Sequence, residues 1–302
     1  MNAYNNKVIC FGEVLWDILP SGAAPGGAPV NVAYHLQKQG VSAAVITRVG
    51  TDKEGEELQR VFAEKGVDTS WFQYDHQYET GKVYAKLLSN HDVEYDIIQP
   101  VAWDRIAWDE RFDPLLRNTS FFVYGSLAAR NDVSRNTLLK LLDIPCKKVF
   151  DVNLRSGSYT RERITELLGK ADFIKMNLAE LDLITGWYKE LNSIEDRLRF
   201  FCGQFNIRQA VVTMGSDGAV FFNDDDIIRQ KGLLVNVKDT VGSGDAFLAG
   251  LLSQLISNAS AEDALRFANQ LGAFVATQHG PCPEYDIGPM KTTDFMQSNL
   301  TI

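Results

Sequence analysis

Cysteine is scarce and scattered in this chain. Cys10, Cys146, Cys202 and Cys282 are the four cysteines, with no CxxC spacing and only four histidines beside them, so neither a disulfide framework nor a zinc pattern is present. A reducing compartment is the expectation. No uninterrupted apolar run approaches about 18 residues, so no membrane-spanning helix and no membrane partner are predicted. Positive charge is also in deficit. Lys and Arg number 30 against 39 acidic residues, a formal charge of −9, and the basic residues are dispersed, which argues against nucleic acid as a partner. The stretch 1–7 is polar and runs into a strand-like segment. A soluble, cytoplasmic chain is the reading. Two glycine motifs are missing as well. No GxGxxG follows the first strand-like segment, and no GxxxxGK followed by Ser or Thr occurs, which excludes a nicotinamide dehydrogenase and a P-loop enzyme.

What the chain does have is apolar substance and rhythm. Hydrophobic residues make up 45% of 302, enough for a sizeable core. Short β-rich runs at 8–11, 43–49, 120–124, 147–152, 173–176 and 210–213 alternate with helical spacing at 30–39, 54–65, 134–142, 161–168 and 193–205. That alternation predicts a mainly parallel sheet covered by helices on both faces, with a site at the carboxyl ends of the strands. Two stretches break the rhythm. Residues 13–20 continue extended after the first strand, and 80–101 read as a hairpin turning at 89–92. Together they predict a small separate sheet, a lid inserted in one domain that spans 1–302. Its exposed apolar residues Val14, Trp16, Val83, Tyr84 and Leu87 predict pairing with a second copy, a homodimer.

The chemistry is concentrated in Asp239-Thr240-Val241-Gly242-Ser243-Gly244-Asp245-Ala246-Phe247. Small residues free the amides of Gly242, Ser243 and Gly244 to converge on one point, and the helix that follows adds its positive end. This is an anion hole with a carboxylate beside it. Asp245 is the candidate base for a hydroxyl attacking a phosphoryl group; a glycine turn followed by a capped helix is the plainer alternative. A second glycine-rich element, Gly26-Gly27-Ala28-Pro29-Val30-Asn31, opens another helix, and Asn31 supplies both a donor and an acceptor for a hydroxyl. Upstream, Gly12-Glu13-Val14-Leu15-Trp16-Asp17 offers a carboxylate with an aromatic face beside it.

These motifs, with Arg48-Val49-Gly50-Thr51-Asp52-Lys53-Glu54-Gly55, Asn177-Leu178-Ala179-Glu180 and Thr213-Met214-Gly215-Ser216-Asp217-Gly218, resemble in order and spacing those of the ribokinase, or PfkB, family of carbohydrate kinases. The resemblance covers Val8 to Glu284. It implies a ribokinase-like three-layer α/β/α fold, and transfer of the γ-phosphoryl of ATP to a primary sugar hydroxyl. Asp245 would be the base; Asp17, Gly26, Gly27, Asn31 and Arg155 would bind the sugar. Asn177, Glu180, Thr213, Gly215, Gly218 and Asn269 would bind ATP. Mg²⁺ would be held near Glu180 through water, and K⁺ by backbone carbonyls of Asp239, Val241, Val275, Gln278, Gly280 and the region of Glu284. Tyr124-Gly125-Ser126-Leu127-Ala128 lacks the acidic residue that ribokinases carry after the equivalent strand, and the combination of Gly12 to Asp17, Gly26 to Asn31 and Phe150-Asp151-Val152-Asn153-Leu154-Arg155 resembles the fructokinase branch, although Val152 stands where fructokinases commonly carry proline. Fructose is the expected substrate. A 2-keto-3-deoxygluconate kinase, another sugar or nucleoside kinase of the family, and a non-catalytic sugar-binding sensor stay open.

Overall fold

In the computed structural model, described for residues 8–19, 22–87 and 93–290, the strands are β1 (Val8–Phe11), β2 (Leu15–Leu19), β3 (Gly22–Gly26), β4 (Ala43–Gly50), β5 (Phe72–Asp75), β6 (Gly81–Leu87), β7 (Val93–Ile97), β8 (Phe121–Gly125), β9 (Lys147–Asp151), β10 (Phe173–Asn177), β11 (Gln209–Thr213), β12 (Ala219–Asn223) and β13 (Asp226–Gln230). The helices are α1 (Ala28–Lys38), α2 (Lys53–Glu64), α3 (Phe112–Arg117), α4 (Asp132–Leu142), α5 (Arg161–Leu168), α6 (Leu178–Gly186), α7 (Ile194–Phe205), α8 (Ser243–Ile256), α9 (Ala261–Ala276) and α10 (Ile287–Met290). Nine strands form one sheet in the order β13-β12-β11-β10-β9-β8-β1-β4-β5, parallel except for β12 and β13.

Strand alternation builds the three layers. In β1, Val8 and Cys10 face one core with α1, α2, α8 and α9, while Ile9 and Phe11 face the other with α3 to α7. Each such side chain, once buried, stabilises the fold by about 1.5–3 kcal/mol. Both faces are covered, which is why β1 reads as an unbroken apolar run.

The sheet reverses direction at β1, which pairs with β4 on one side and β8 on the other. Ligands of open parallel sheets bind outside such a switch point, at the carboxyl ends of the strands. Here Glu13 follows β1, Ser126 follows β8, Val152 follows β9, and Asn177 and Thr213 close β10 and β11 side by side in register. They define one line from β1 to β11. The second sheet, β3-β2-β6-β7, stands beside its β1 end. It confirms the separate small sheet and adds a strand that was not expected. Gly22-Ala23-Ala24-Pro25-Gly26 has no β propensity of its own and is held extended by antiparallel pairing with β2, Leu15 opposite Gly26. The turn expected at 89–92, and Pro20, lie outside the described residues.

Candidate active site

α8 starts at Gly242 in the left-handed conformation (φ 77°), with no side chain capping it. A Cβ there would overlap Pro281, so the close approach requires glycine. The amide of Ser243 turns back to Thr240 O (3.2 Å), and its hydroxyl donates to Gly272 O (2.8 Å), tying α8 to α9. The expected three-amide hole is therefore a two-amide one. Gly242 and Gly244 keep first-turn amides without an acceptor among the described residues, as helix starts do unless capped.

Asp245, one turn into α8, is only 8% exposed. Asn31 Nδ2 donates to its Oδ2 at 2.8 Å, so the two glycine-rich elements meet side chain to side chain. Burial is the largest influence on Asp245 and raises its pKa; Lys175, the Asn31 bond and Arg155 pull it down, Asp151 pushes it up, and the balance is about 6. A base with that affinity is ionised at neutral pH yet binds a proton better than a free aspartate.

Lys175 was not foreseen as a site residue. It projects from the buried strand β10 to place Nζ 3.0 Å from both oxygens of Asp151, its register neighbour on β9. A Cβ on Gly244 would stand 3.0 Å from that ammonium. Burial by itself would lower the pKa of Lys175, but Asp151, Asp245 and Glu180 outweigh it and hold it above the ordinary value. A fixed positive charge thus lies under the open amides. One signal was available in sequence: a lysine within Phe173-Ile174-Lys175-Met176, where every neighbour is apolar.

On the lid side, Asp17 of β2 lies against Gly26, whose Cβ would come within 2.5 Å of Asp17 Oδ2. Burial raises Asp17 to about 6 against the pull of Arg155, with Asp239 and Asp245 adding to the rise. Gly27 (φ 121°) passes directly over Glu13, whose carbonyl oxygen would be 2.5 Å from a Cβ at that position. Arg155 is exposed, and its charge reaches Glu13, Asp17 and Asp245 alike. Asp151, four residues before it, is paired with Lys175. Trp16 also departs from expectation. Alternation along β2 turns it away from the face of Asp17, and its indole donates to Glu54 O at 3.0 Å.

At the other end of the line, Asn177 and Glu180 form a capping box at the start of α6, and Glu180 also accepts from Leu154 N at 2.7 Å. Thr213 closes β11, and Gly215 (φ 56°) and Gly218 (φ 97°) shape the turn into β12. Asn269 of α9 donates to Lys231 O at 2.7 Å; Lys231 and Gly232 pack on Gly218, so these residues gather at one edge. The carboxylate of Asp239 accepts from Val241 N (2.9 Å) and Gly280 N (3.1 Å), which draws those two segments together. Val275 O accepts from Gln278 N (2.9 Å) in the last turn of α9, and the exposed Glu284 pairs with Lys38 and Lys65 on the α1 and α2 side.

The segment closing this end is stapled by side chains that the sequence did not single out. Carbonyls of Pro281, Cys282 and Pro283 are bonded by His35 Nε2 (2.8 Å), Lys65 Nζ (3.0 Å) and Tyr34 Oη in turn. Two prolines remove amides, so the segment acts almost wholly as acceptor. His35 is kept neutral by burial, its pKa lowered to about 4.

A carboxylate buried at a helix start, open amides, a lysine beneath them and a lid over strand ends describe a phosphoryl-transfer enzyme. Residues 21–286 match the profile of the pfkB family carbohydrate kinases, and the chain belongs to that family. Among relatives, the probable fructokinase-7 of Arabidopsis thaliana is 30% identical over 323 residues, spanning 97% of this chain and 92% of that one. Fructokinase-1 of rice (Oryza sativa subsp. japonica) is 27% identical over 312 residues, with 94% and 95% covered. A fructokinase from Vibrio cholerae, solved with fructose, ADP and calcium ion, superposes with a TM-score of 0.79 at 25% identity, covering 98% of this chain and 99% of that chain. This protein is a ribokinase-like carbohydrate kinase whose relatives and structural neighbours include fructokinases.

Proposed function

We propose that the chain is a fructokinase, transferring the γ-phosphoryl group of ATP to a primary hydroxyl of fructose with Asp245 as general base. The observation that carries this is the position of Asp245: buried, bonded to Asn31 of the lid-side element, and adjacent to the free amides of Gly242 and Gly244. Under the lid, Asp17, Asn31 and Arg155 bind the sugar hydroxyls beside Gly26 and Gly27. Asp245 accepts the hydroxyl proton as the oxygen attacks phosphorus, and the two amides and Lys175 stabilise the charge that develops. Thr213, Gly215, Gly218, Asn177 and Asn269 seat the nucleotide at the β10–β12 end.

Magnesium, when bound with ATP, neutralises phosphate charge. Each oxygen of Glu180 already accepts one backbone amide and keeps a second lone pair, which suits holding a magnesium-bound water rather than the ion itself. K⁺, when bound, is held by backbone carbonyls of Asp239, Val241, Val275, Gln278, Gly280 and the region of Glu284, a reading supported by the Asp239 carboxylate drawing the 239–241 and 280 segments together. A homodimer through the lid is supported by Tyr84, 38% exposed on β6, and by the exposed first residues of edge strand β3. The free cysteines fit a cytoplasmic location.

A coupled assay across hexoses, 2-keto-3-deoxygluconate and nucleosides, with ATP, Mg²⁺ and with or without K⁺, is expected to show fructose as the preferred acceptor. Strong 2-keto-3-deoxygluconate turnover without fructose turnover overturns the assignment. Light scattering at micromolar concentration is expected to give twice the monomer mass; a monomer alone rejects the lid dimer.

A further inference from the structure

Glu13 is a buried acid that the reaction described above does not use. It follows β1 at the switch point and is 4% exposed. Its Oε1 accepts from Ala28 N at 3.3 Å, capping α1 in place of the side chain that Gly27 lacks. Its Oε2 is buried and has no hydrogen-bond partner among the described residues. Nor does this carboxyl make an ion pair among them, and the cation whose charge reaches it is Arg155, from the loop after β9. The other charge facing it is Asp245, of like sign, from α8. From α1, the uncharged Asn31 side chain is turned to Asp245. An ionised carboxylate in such a place lacks the pairing that buried charge requires.

We propose that Glu13 is a positioning residue that holds a proton while the acceptor sugar binds, bracing the Gly27–Ala28 turn and leaving Arg155 free for the ligand. This rests on the reading of the pocket under the lid as the sugar site. Burial, the largest influence, moves the pKa of Glu13 to about 7 against the pull of its own backbone amide, of Arg155 and of the Ala28 amide, and Asp245 adds to the rise. Asp245, at about 6, therefore ionises first. When Glu13 follows, a second buried negative charge appears near the base and competes with Asp17, Asp245 and the substrate for the one guanidinium. The neutral form is the binding form.

Two measurements decide this. In the ligand-free protein labelled with ¹³C at glutamate carboxyls, one resonance is expected to titrate near neutrality and to vanish in Glu13→Gln; titration of every resonance in the ordinary carboxylate range overturns the proposal. In the assay, the KM for the acceptor sugar of the unmodified enzyme is expected to climb above about pH 7, at most tenfold per pH unit for one proton. Glu13→Gln, neutral at every pH, is expected to lose that climb. Glu13→Ala, which removes the brace, is expected to raise KM at all pH values without restoring the climb. If Glu13→Gln keeps the climb, Glu13 is structural only. If the unmodified chain phosphorylates no sugar, the function is wrong, and the carboxyl titration still decides the protonation of Glu13.

Discussion

Replacing Asp245 by asparagine is expected to slow phosphorylation of the acceptor about 100- to 10,000-fold, the usual effect of removing a general base, while making the folded protein more stable at neutral pH. The two effects have one origin. Asp245 sits where burial opposes its charge, so its folded pKa is about 6 rather than the 3.8 of a free aspartate. Between those values the folded chain binds a proton that the unfolded chain has released. The contribution of Asp245 to stability is therefore greatest in acid and falls as pH rises from about 4 to about 6. A rise of that size sets a ceiling of roughly 3 kcal/mol on what the ionised form costs at pH 7. Asparagine avoids that cost but gives up a favourable charge at the start of α8, worth about 0.5–1 kcal/mol. A net gain of about 1–2 kcal/mol is expected from denaturant melts at pH 7, shrinking toward zero or reversing at pH 4. The kcat/KM of the unmodified enzyme should fall with unit slope below about pH 6, in step with protonation of Asp245. Unchanged turnover in Asp245→Asn would remove this residue from the mechanism.

The glycine motifs and the carboxylate between them were legible in sequence because their constraints are local. Gly242 must adopt a left-handed φ, and Asp245 follows at a fixed offset in the first turn of α8. The parallel core was legible for the same reason: 8–11 and 161–168 coincide with β1 and α5, since unbroken apolar runs and helical spacing report burial directly. What sequence could not carry is pairing at a distance. β3 exists because β2 holds it, not because Gly22-Ala23-Ala24-Pro25-Gly26 favours a strand. Trp16 beside Asp17 looked like one binding surface, yet the two-residue period of a strand sends neighbours to opposite faces. The amide of Ser243 looked free but is consumed by Thr240, a bond that depends on how the preceding turn closes. His35, Tyr34 and Lys65 hold three consecutive carbonyls more than 200 positions away, and no local pattern announces that.

Charge is distributed unevenly along the line of strand ends. Toward the lid, Glu13, Asp17 and Asp245 are all raised by burial, while the cation reaching all three is the exposed Arg155. Toward β10, Lys175 is buried and fixed. A neutral, hydroxyl-rich ligand suits the first end, where Asp17 can accept from hydroxyls and the cation reaching it is the exposed Arg155. Polyanionic phosphates suit the second, where a desolvated ammonium and a helix start reinforce each other. The polarity of the groove thus follows from Asp17 on β2 and Lys175 on β10, with Glu13 and Arg155 added by the loops after β1 and β9.

Lys175→Met is expected to be costly twice over. It leaves Asp151 buried without its partner, which typically destabilises by about 3–5 kcal/mol, and it withdraws the positive charge beneath Gly244, where loss of one such stabilising group typically lowers kcat about 100- to 1,000-fold. Lys175 is also the foremost charge holding Asp245 down, so the acid limb of the kcat/KM profile is expected to move to higher pH. Stability and catalysis are separable through the partner. Asp151→Asn removes the orphaned charge, so the double variant Asp151→Asn with Lys175→Met is expected to recover most of the lost stability and none of the lost turnover. Chemical denaturation and kcat measured on both single variants and the double close the cycle. Recovery of turnover together with stability would reduce Lys175 to a structural partner of Asp151. Recovery of stability alone would place its ammonium among the groups that stabilise the moving phosphoryl charge, because a folded enzyme with its base, its amides and its lid intact would then lack only that one charge.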